Sequence, residues 1–254
     1  VDRTVSEVTK QVVALVAALK KANRDKREPK RREKLILQER IRRILYRRFR
    51  RQAARVREYF ELVHPDRKAS LPTEYLEDDQ DQGVLIRLLI AAVNGGVELF
   101  AETVSIGYDW SAVNMDAAQW AAEYAGELIQ GIDETTLQAV QQALEMFITT
   151  PGLTIGDVMN ALPFGEDRAQ RIAVTELTRS YAQGQLIAGE KLQKDYPDMK
   201  VTKTWFTNAD DIVCDICGPL DGKEVDIDEP FDSDVEEPPA HPNCRCWIET
   251  RTRI

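Results

Sequence analysis

Apolar residues recur at spacings of three and four along the first two-thirds of this chain. Val5, Val8, Val12, Leu15, Val16 and Leu19 predict an amphipathic helix over residues 3–22. After a charged break at Pro29, a longer helix is predicted from Leu37, Ile41, Ile44, Leu45, Phe49, Val56, Tyr59, Phe60 and Val63. His64-Pro65-Asp66 is expected to end it, because proline cannot continue the helical ladder and restrains the residue before it. His64 then reads as a helix-end residue. Residues 64–82 are polar and acidic and read as a connector. Helical patterns follow at 83–105, 114–130 and 134–149, with Asp133 placed as the N-cap of the last and Pro151-Gly152 as its stop. Gly95-Gly96, inside an apolar stretch, marks a break or a close helix packing. Ala169, Ile172, Ala173, Leu177, Tyr181, Gly184 and Ala188 predict a long helix over 166–195, closed by Pro197.

Beyond Lys200 the pattern alternates. Residues 201–207 read as a strand, and Lys223–Val225 and Trp247–Thr250 as two more. An acidic, proline-rich loop from Asp226 to Pro239 lies between them. No repeat with a period of 20–50 residues is present. The expected fold class is mainly α with a small C-terminal α+β zinc-knuckle-like module. The expected division is a basic helical arm (1–64), a connector (65–82), a helical body (83–200) and a β-containing Cys/His module (201–254).

The length of 254 residues allows one or two domains with a real core. A composition of 43% hydrophobic and 30% charged residues fits a soluble globular protein. The longest apolar stretch, Val84–Val93, is interrupted by Arg87 and is short for a membrane span. Asp2, Arg3, Glu7 and Lys10 interrupt the first apolar residues, so no signal peptide is read there. Val1 in place of Met fits a processed start or a piece of a longer chain. The net charge of −9 conceals a strong segregation. Residues 20–57 hold 18 Lys and Arg against four acids, a local +14, leaving 16 bases and 39 acids, or −23, elsewhere. A polyanion partner therefore stays open despite the acidic total.

All four cysteines and one of the two histidines fall near the C-terminus, as Cys214-x2-Cys217, 23 residues, then His241-x2-Cys244-x-Cys246. Two donors from a tight knuckle and two from a distant segment suit tetrahedral zinc, which favours thiolate and imidazole. Cys214, Cys217, His241 and Cys244 are the expected ligands, with Cys246 able to replace Cys244. Two disulfides, or four free thiols, are the competing readings. A redox dithiol is disfavoured because Gly218-Pro219 follows the knuckle rather than lying inside it. A zinc deaminase is disfavoured because its His-x-Glu precedes its Cys-x-x-Cys, the reverse of this order. Neither an open coordination position nor a general base is evident, so a structural site is expected.

Several segments occur here in a characteristic order. They are Arg171–Glu176, the small helical residues to Gly189, Lys203-Thr-Trp205, Asp211-x2-Cys214-x2-Cys217, Leu220–Val225 and Pro238-Pro-Ala-His-Pro-Asn-Cys-Arg-Cys246. Together, over about residues 140–250, they resemble the C-terminal domain of the phage Mu F-like head-morphogenesis proteins, also called minor head or minor capsid proteins. The resemblance implies a structural protein of a tailed-phage head, not an enzyme. It would act at the portal or capsid interior and in genome packaging or delivery. The portal protein is the implied partner, with the major capsid protein and packaged double-stranded DNA as further ones. The implied location is the virion, after assembly in the host cytoplasm. No membrane partner is expected.

Arg40, Arg43, Arg47, Arg48, Arg50 and Arg51 are the expected contact residues for DNA or for an acidic partner, which includes the chain's own acidic remainder; a plain solvated helix is the third reading. With only Tyr46 and Phe49 interleaved, a stacking platform for single strands is not supported. Glu176 and Arg179 are expected to form an exposed ion pair on a helix face. The acidic residues between Asp226 and Glu237 lack the order of a calcium loop and read as a flexible acidic surface. No catalytic triad or phosphate-binding glycine loop is present. The competing functional class is a zinc-dependent enzyme acting on nucleic acid or peptidoglycan. A free-standing DNA-binding protein is a third reading.

Overall fold

The computed structural model describes residues 28–62, 70–208, 210 and 212–253. The helix expected over 3–22, and His64, lie outside the described residues. Five α-helices are present among the described residues: α1 (Arg31–Leu62), α2 (Gln82–Ala101), α3 (Ser111–Thr149), α4 (Ile155–Ala161) and α5 (Glu166–Asp195). Three strands follow: β1 (Lys200–Phe206), β2 (Glu224–Asp226) and β3 (Trp247–Arg253). From Glu33 onward the described helices and strands belong to one compact unit.

The 3–4 spacing of apolar side chains explains the helical core. On α1, Leu37, Ile41, Ile44, Leu45, Phe49, Val56 and Phe60 are buried, in one hydrophobic cluster with residues of α2, α3 and α5. Long side chains join α1 to the other helices. Phe60 meets Phe147 edge to face at 5.6 Å, and the Arg168 guanidinium lies 4.9 Å from the Phe49 ring. α2 is long and apolar enough by composition to cross a membrane, but it packs centrally against α3 and α5. The α2–α5 crossing is tight because three glycines meet there. A Cβ on Gly184 would run into the Val93 carbonyl, and one on Gly96 into the Tyr181 carbonyl. Gly95-Gly96 therefore marks close packing and not a break.

Two sequence expectations are corrected. Residues 114–149 do not form two helices capped at Asp133, because α3 runs unbroken from Ser111 to Thr149. The Asp133 carboxylate accepts instead from Arg48 Nη2 at 2.6 Å and Gln52 Nε2 at 2.9 Å, which satisfies it in mid-helix. The helix expected to 105 ends at Ala101, where Thr103 Oγ1 donates to the Phe100 carbonyl.

The sheet is antiparallel with order β2-β1-β3. It packs on α5 through Gly189, which lies against Ile227 and Val201. Trp205, Phe231, Ile227 and Ile248 are buried between sheet and helix. Gln185 of α5 donates to the Ile248 carbonyl at 2.9 Å and accepts from the Thr250 amide at 3.2 Å, tying β3 to the helix. The loop after β2 is ordered by this packing, since Ile227 and Phe231 are inserted in the core and Asp232 bridges Val235.

Candidate metal centre

The Cys214–Cys217 knuckle follows β1, and a short 3-10 turn at Gly218–Leu220 redirects the chain. The Cys217 amide donates to Cys214 Sγ at 3.4 Å and the Gly218 amide to the Cys214 carbonyl at 2.9 Å. The knuckle is thus folded by its own backbone. The second segment, His241-Pro-Asn-Cys244, is turned by Asn243, which has a φ of 63°. Asparagine tolerates this left-handed conformation at little cost. The turn lets the Cys244 amide donate to the His241 carbonyl at 3.2 Å.

α5 holds this second segment in place. Thr175 Oγ1 accepts from the Asn243 amide at 2.8 Å, and Thr178 Oγ1 donates to the Cys244 carbonyl at 3.0 Å. Arg245 pairs with Asp210 at 2.9 Å, and Asn208 donates to the Arg245 carbonyl at 3.2 Å, which clamps the two segments together. These five tethering residues were not singled out by spacing or composition.

His241 Nε2 lies 3.1 Å from Cys214 Sγ and 3.3 Å from Cys217 Sγ, and Cys217 Sγ lies 3.8 Å from Cys244 Sγ. A tetrahedral zinc would hold thiolates about 3.8 Å apart, and thiolate and imidazole about 3.5 Å apart. All four cysteines are free thiols. Two overlapping triads, Cys214/Cys217/His241 and Cys217/Cys244/Cys246, share Cys217, so the five expected donors converge. They line a cavity of about 30 Å³, the size of an ion and not of an organic substrate. The imidazole is oriented as a ligand, with Nδ1 2.9 Å from the Pro242 carbonyl. Donation from Nδ1 leaves Nε2 with its lone pair facing the thiols. Each triad has donors and spacing that fit a metal ion, and the two meet at Cys217 without closing into one set of the four expected ligands.

The electrostatics favour thiolate at selected positions. The Cys246 thiol, with help from backbone amides, holds Cys244 down at about 5. Burial pushes Cys217 up to about 12, and the Cys244 thiolate and burial push Cys246 up as well. Burial opposes ionisation of Cys214, but amide hydrogen bonds and His241 carry it below the usual thiol range. Burial lowers His241 but is outweighed by the Pro242 carbonyl and the neighbouring cysteines, so it moves up.

The basic residues divide into two groups. Arg48 is buried and bonds Asp133 and the Asp78 carbonyl, while Arg51 bonds Asp78 at 2.7 Å and Asp81 at 2.9 Å. Arg40, Arg43, Arg47 and Arg50 are exposed. Arg43 reaches Glu39 at 2.6 Å and Arg47 lies 3.6 Å from Asp81. The Glu176–Arg179 pair, expected on an exposed face, is corrected. The Glu176 side chain is 8% exposed, accepts from Tyr124 at 2.5 Å and lies 3.7 Å from Arg179. Burial drives its pKa up against both partners.

Residues 122–249, half of the chain, match the family model described as Phage Mu protein F like protein. No curated protein and no solved structure matches the chain. The matched segment runs from within α3 into β3 and contains the helix that holds the Cys/His loop as well as all five donors. The chain belongs to the phage Mu protein F like family.

Proposed function

We propose that this protein is a structural head-morphogenesis protein of a tailed phage. It would be seated at the portal or the capsid interior and incorporated in the virion, and would act in genome packaging or delivery. The carrying observation is the family match over residues 122–249, which takes in the whole Cys/His centre. In this reading the protein is not an enzyme, and the C-terminal module is a docking or spacing element stiffened by one structural zinc ion. Cys214, Cys217, His241 and Cys244 would hold it, with Cys244 closing on the Cys214/Cys217/His241 triad as the ion binds. Zinc bound there would cross-link two segments far apart in sequence and supply no reaction chemistry. Cys246 then keeps its proton and donates to the Cys244 thiolate. The portal protein is the proposed principal partner, with the major capsid protein as a second.

The test is co-expression with the portal protein of the same phage, followed by size-exclusion chromatography at low and high salt. Co-elution that persists at high salt supports the assembly role and places the contact on apolar surface. Co-elution only at low salt supports it with a charged docking element. Separate elution at both salts overturns the portal contact.

A further inference from the structure

α1 is cationic on two sides, and only one of them is spent on the fold. Arg42 bonds Glu39 at 2.7 Å and also Glu166; Arg55 donates to the Tyr75 and Glu77 carbonyls at 2.9 Å. With Arg48 and Arg51, these bases flank the buried face and are neutralised or capped by the chain itself. Opposite that face, Arg40, Arg43, Arg47, Arg50 and Arg57 are exposed and follow one another at spacings of 3, 4, 3 and 7. Helical geometry puts them in one stripe about 25 Å long, interrupted only where Ala54 occupies the next turn. The pairs Arg43–Glu39 and Arg47–Asp81 leave those side chains 70% and 60% exposed, so water screens them and both remain open to a stronger anion.

We propose that this stripe binds the phosphate backbone of duplex DNA without reading its sequence. Charge complementarity is one argument, since five guanidiniums in line present planar donor forks that match phosphate oxygens. The other is what the stripe lacks. Protein interfaces centre on apolar or aromatic anchors that exclude water. On α1 the exposed large apolar residues are Leu35, Ile36 and Leu62, all outside the span from Arg40 to Arg57. A face of charge with no apolar centre suits a polyanion bound through counterion release better than it suits an acidic protein. No exposed Asn or Gln lies among the arginines to read adenine edges, and a uniform row of guanidiniums suits the repeating phosphates of any sequence. The stripe shares no residue with the metal centre, and the head-assembly reading rests on the family match over residues 122–249, so a failed DNA titration leaves that reading standing.

The experiment is fluorescence anisotropy of the full chain with two 30-base-pair duplexes of unrelated sequence across a salt series. Equal affinity for both is expected. The slope of log K against log salt should be about −4, giving a loss of a few hundredfold between about 50 and 200 mM salt. Arg40→Gln/Arg47→Gln/Arg50→Gln, all at exposed positions, should keep its helical circular dichroism and flatten the slope by about 3. Lys194→Gln on α5 should leave it unchanged. No duplex binding at low salt, or binding untouched by the triple variant, overturns the proposal. So does polyglutamate bound as tightly with the same dependence on the stripe, which would assign the surface to an acidic protein.

Discussion

Asp78 shows how single residues hold α1 to its connector. Its side chain is 1% exposed, with Arg51 at 2.7 Å and Arg55 at 3.8 Å, and its own carbonyl accepts from Arg48. Burial pushes the carboxyl up, but the Arg51 hydrogen bonds and charge overcome it and hold the pKa below the usual carboxylate range. A depressed folded pKa contributes stability above the unfolded value near 4, and that contribution is lost as pH falls through the folded pKa. Asp78→Asn should therefore lower stability by about 1–2 kcal/mol at pH 7, because it removes one of the two carboxylates that pair the partly buried Arg51 and leaves it Asp81 alone. The deficit relative to wild type should shrink toward pH 3, because below about 4 the unfolded chain takes up a proton that the folded carboxyl resists. Urea midpoints at the two pH values check this, and a deficit that stays constant would show that Asp78 acts by packing alone.

At the scale of elements, the α2–α5 crossing depends on absent side chains. Gly184→Ala should cost about 3 kcal/mol in urea unfolding, since the new methyl would meet the Val93 backbone, which cannot swing aside as a flexible side chain can. Gly126→Ala is the contrasting case: nothing lies within 4 Å of its added Cβ inside α3, so it should gain about 0.5–1 kcal/mol from helix propensity. The same contrast shows what was legible in sequence. Helix positions followed from 3–4 spacing because burial on one face imposes that period, and the Cys/His centre followed because few other chemistries need those donors at those intervals. Asp133 misled because an acid ahead of Thr135 and Leu137 looks like a cap. Only the folded arrangement brings Arg48 and Gln52 from α1 to satisfy it in mid-helix. Glu176 misled for a related reason: an i,i+3 partner suggests surface, whereas Tyr124 arrives from 52 residues away. Thr178 left no signal and Thr175 only its place in the Arg171–Glu176 segment, since helical hydroxyls are common and their loop partners are set by tertiary contact.

For the whole molecule, α5 serves two assemblies. One face carries Ala173, Leu177 and Tyr181 into the helical core, and farther along Ala188, Gly189 and Leu192 meet the sheet region. The sheet has apolar anchors of its own in Trp205, Ile227, Phe231 and Ile248, none of which is a metal donor. The Cys/His segments adjoin that layer, with Cys217, Cys244 and Cys246 in the same buried cluster; Thr175 and Thr178 tie them to α5 and the Arg245–Asp210 pair ties them to each other. Removing the metal should therefore melt locally. With a strong chelator, amide protection should vanish over residues 212–218 and 240–246 while β1 and α5 stay protected, because their hydrogen bonds and apolar contacts do not run through the thiols. Cys217→Ser should reproduce the chelated pattern and lower the thermal midpoint by several degrees, since Cys217 belongs to both donor triads. Cys246→Ser should retain one metal per chain, because the four proposed ligands remain. Hydrogen exchange read with metal analysis separates the outcomes: loss of protection across α5 on chelation would make the centre essential to the whole fold. Unchanged protection with no bound metal in the wild type would remove zinc from the account and leave the hydrogen bonds from α5 as what shapes the loop.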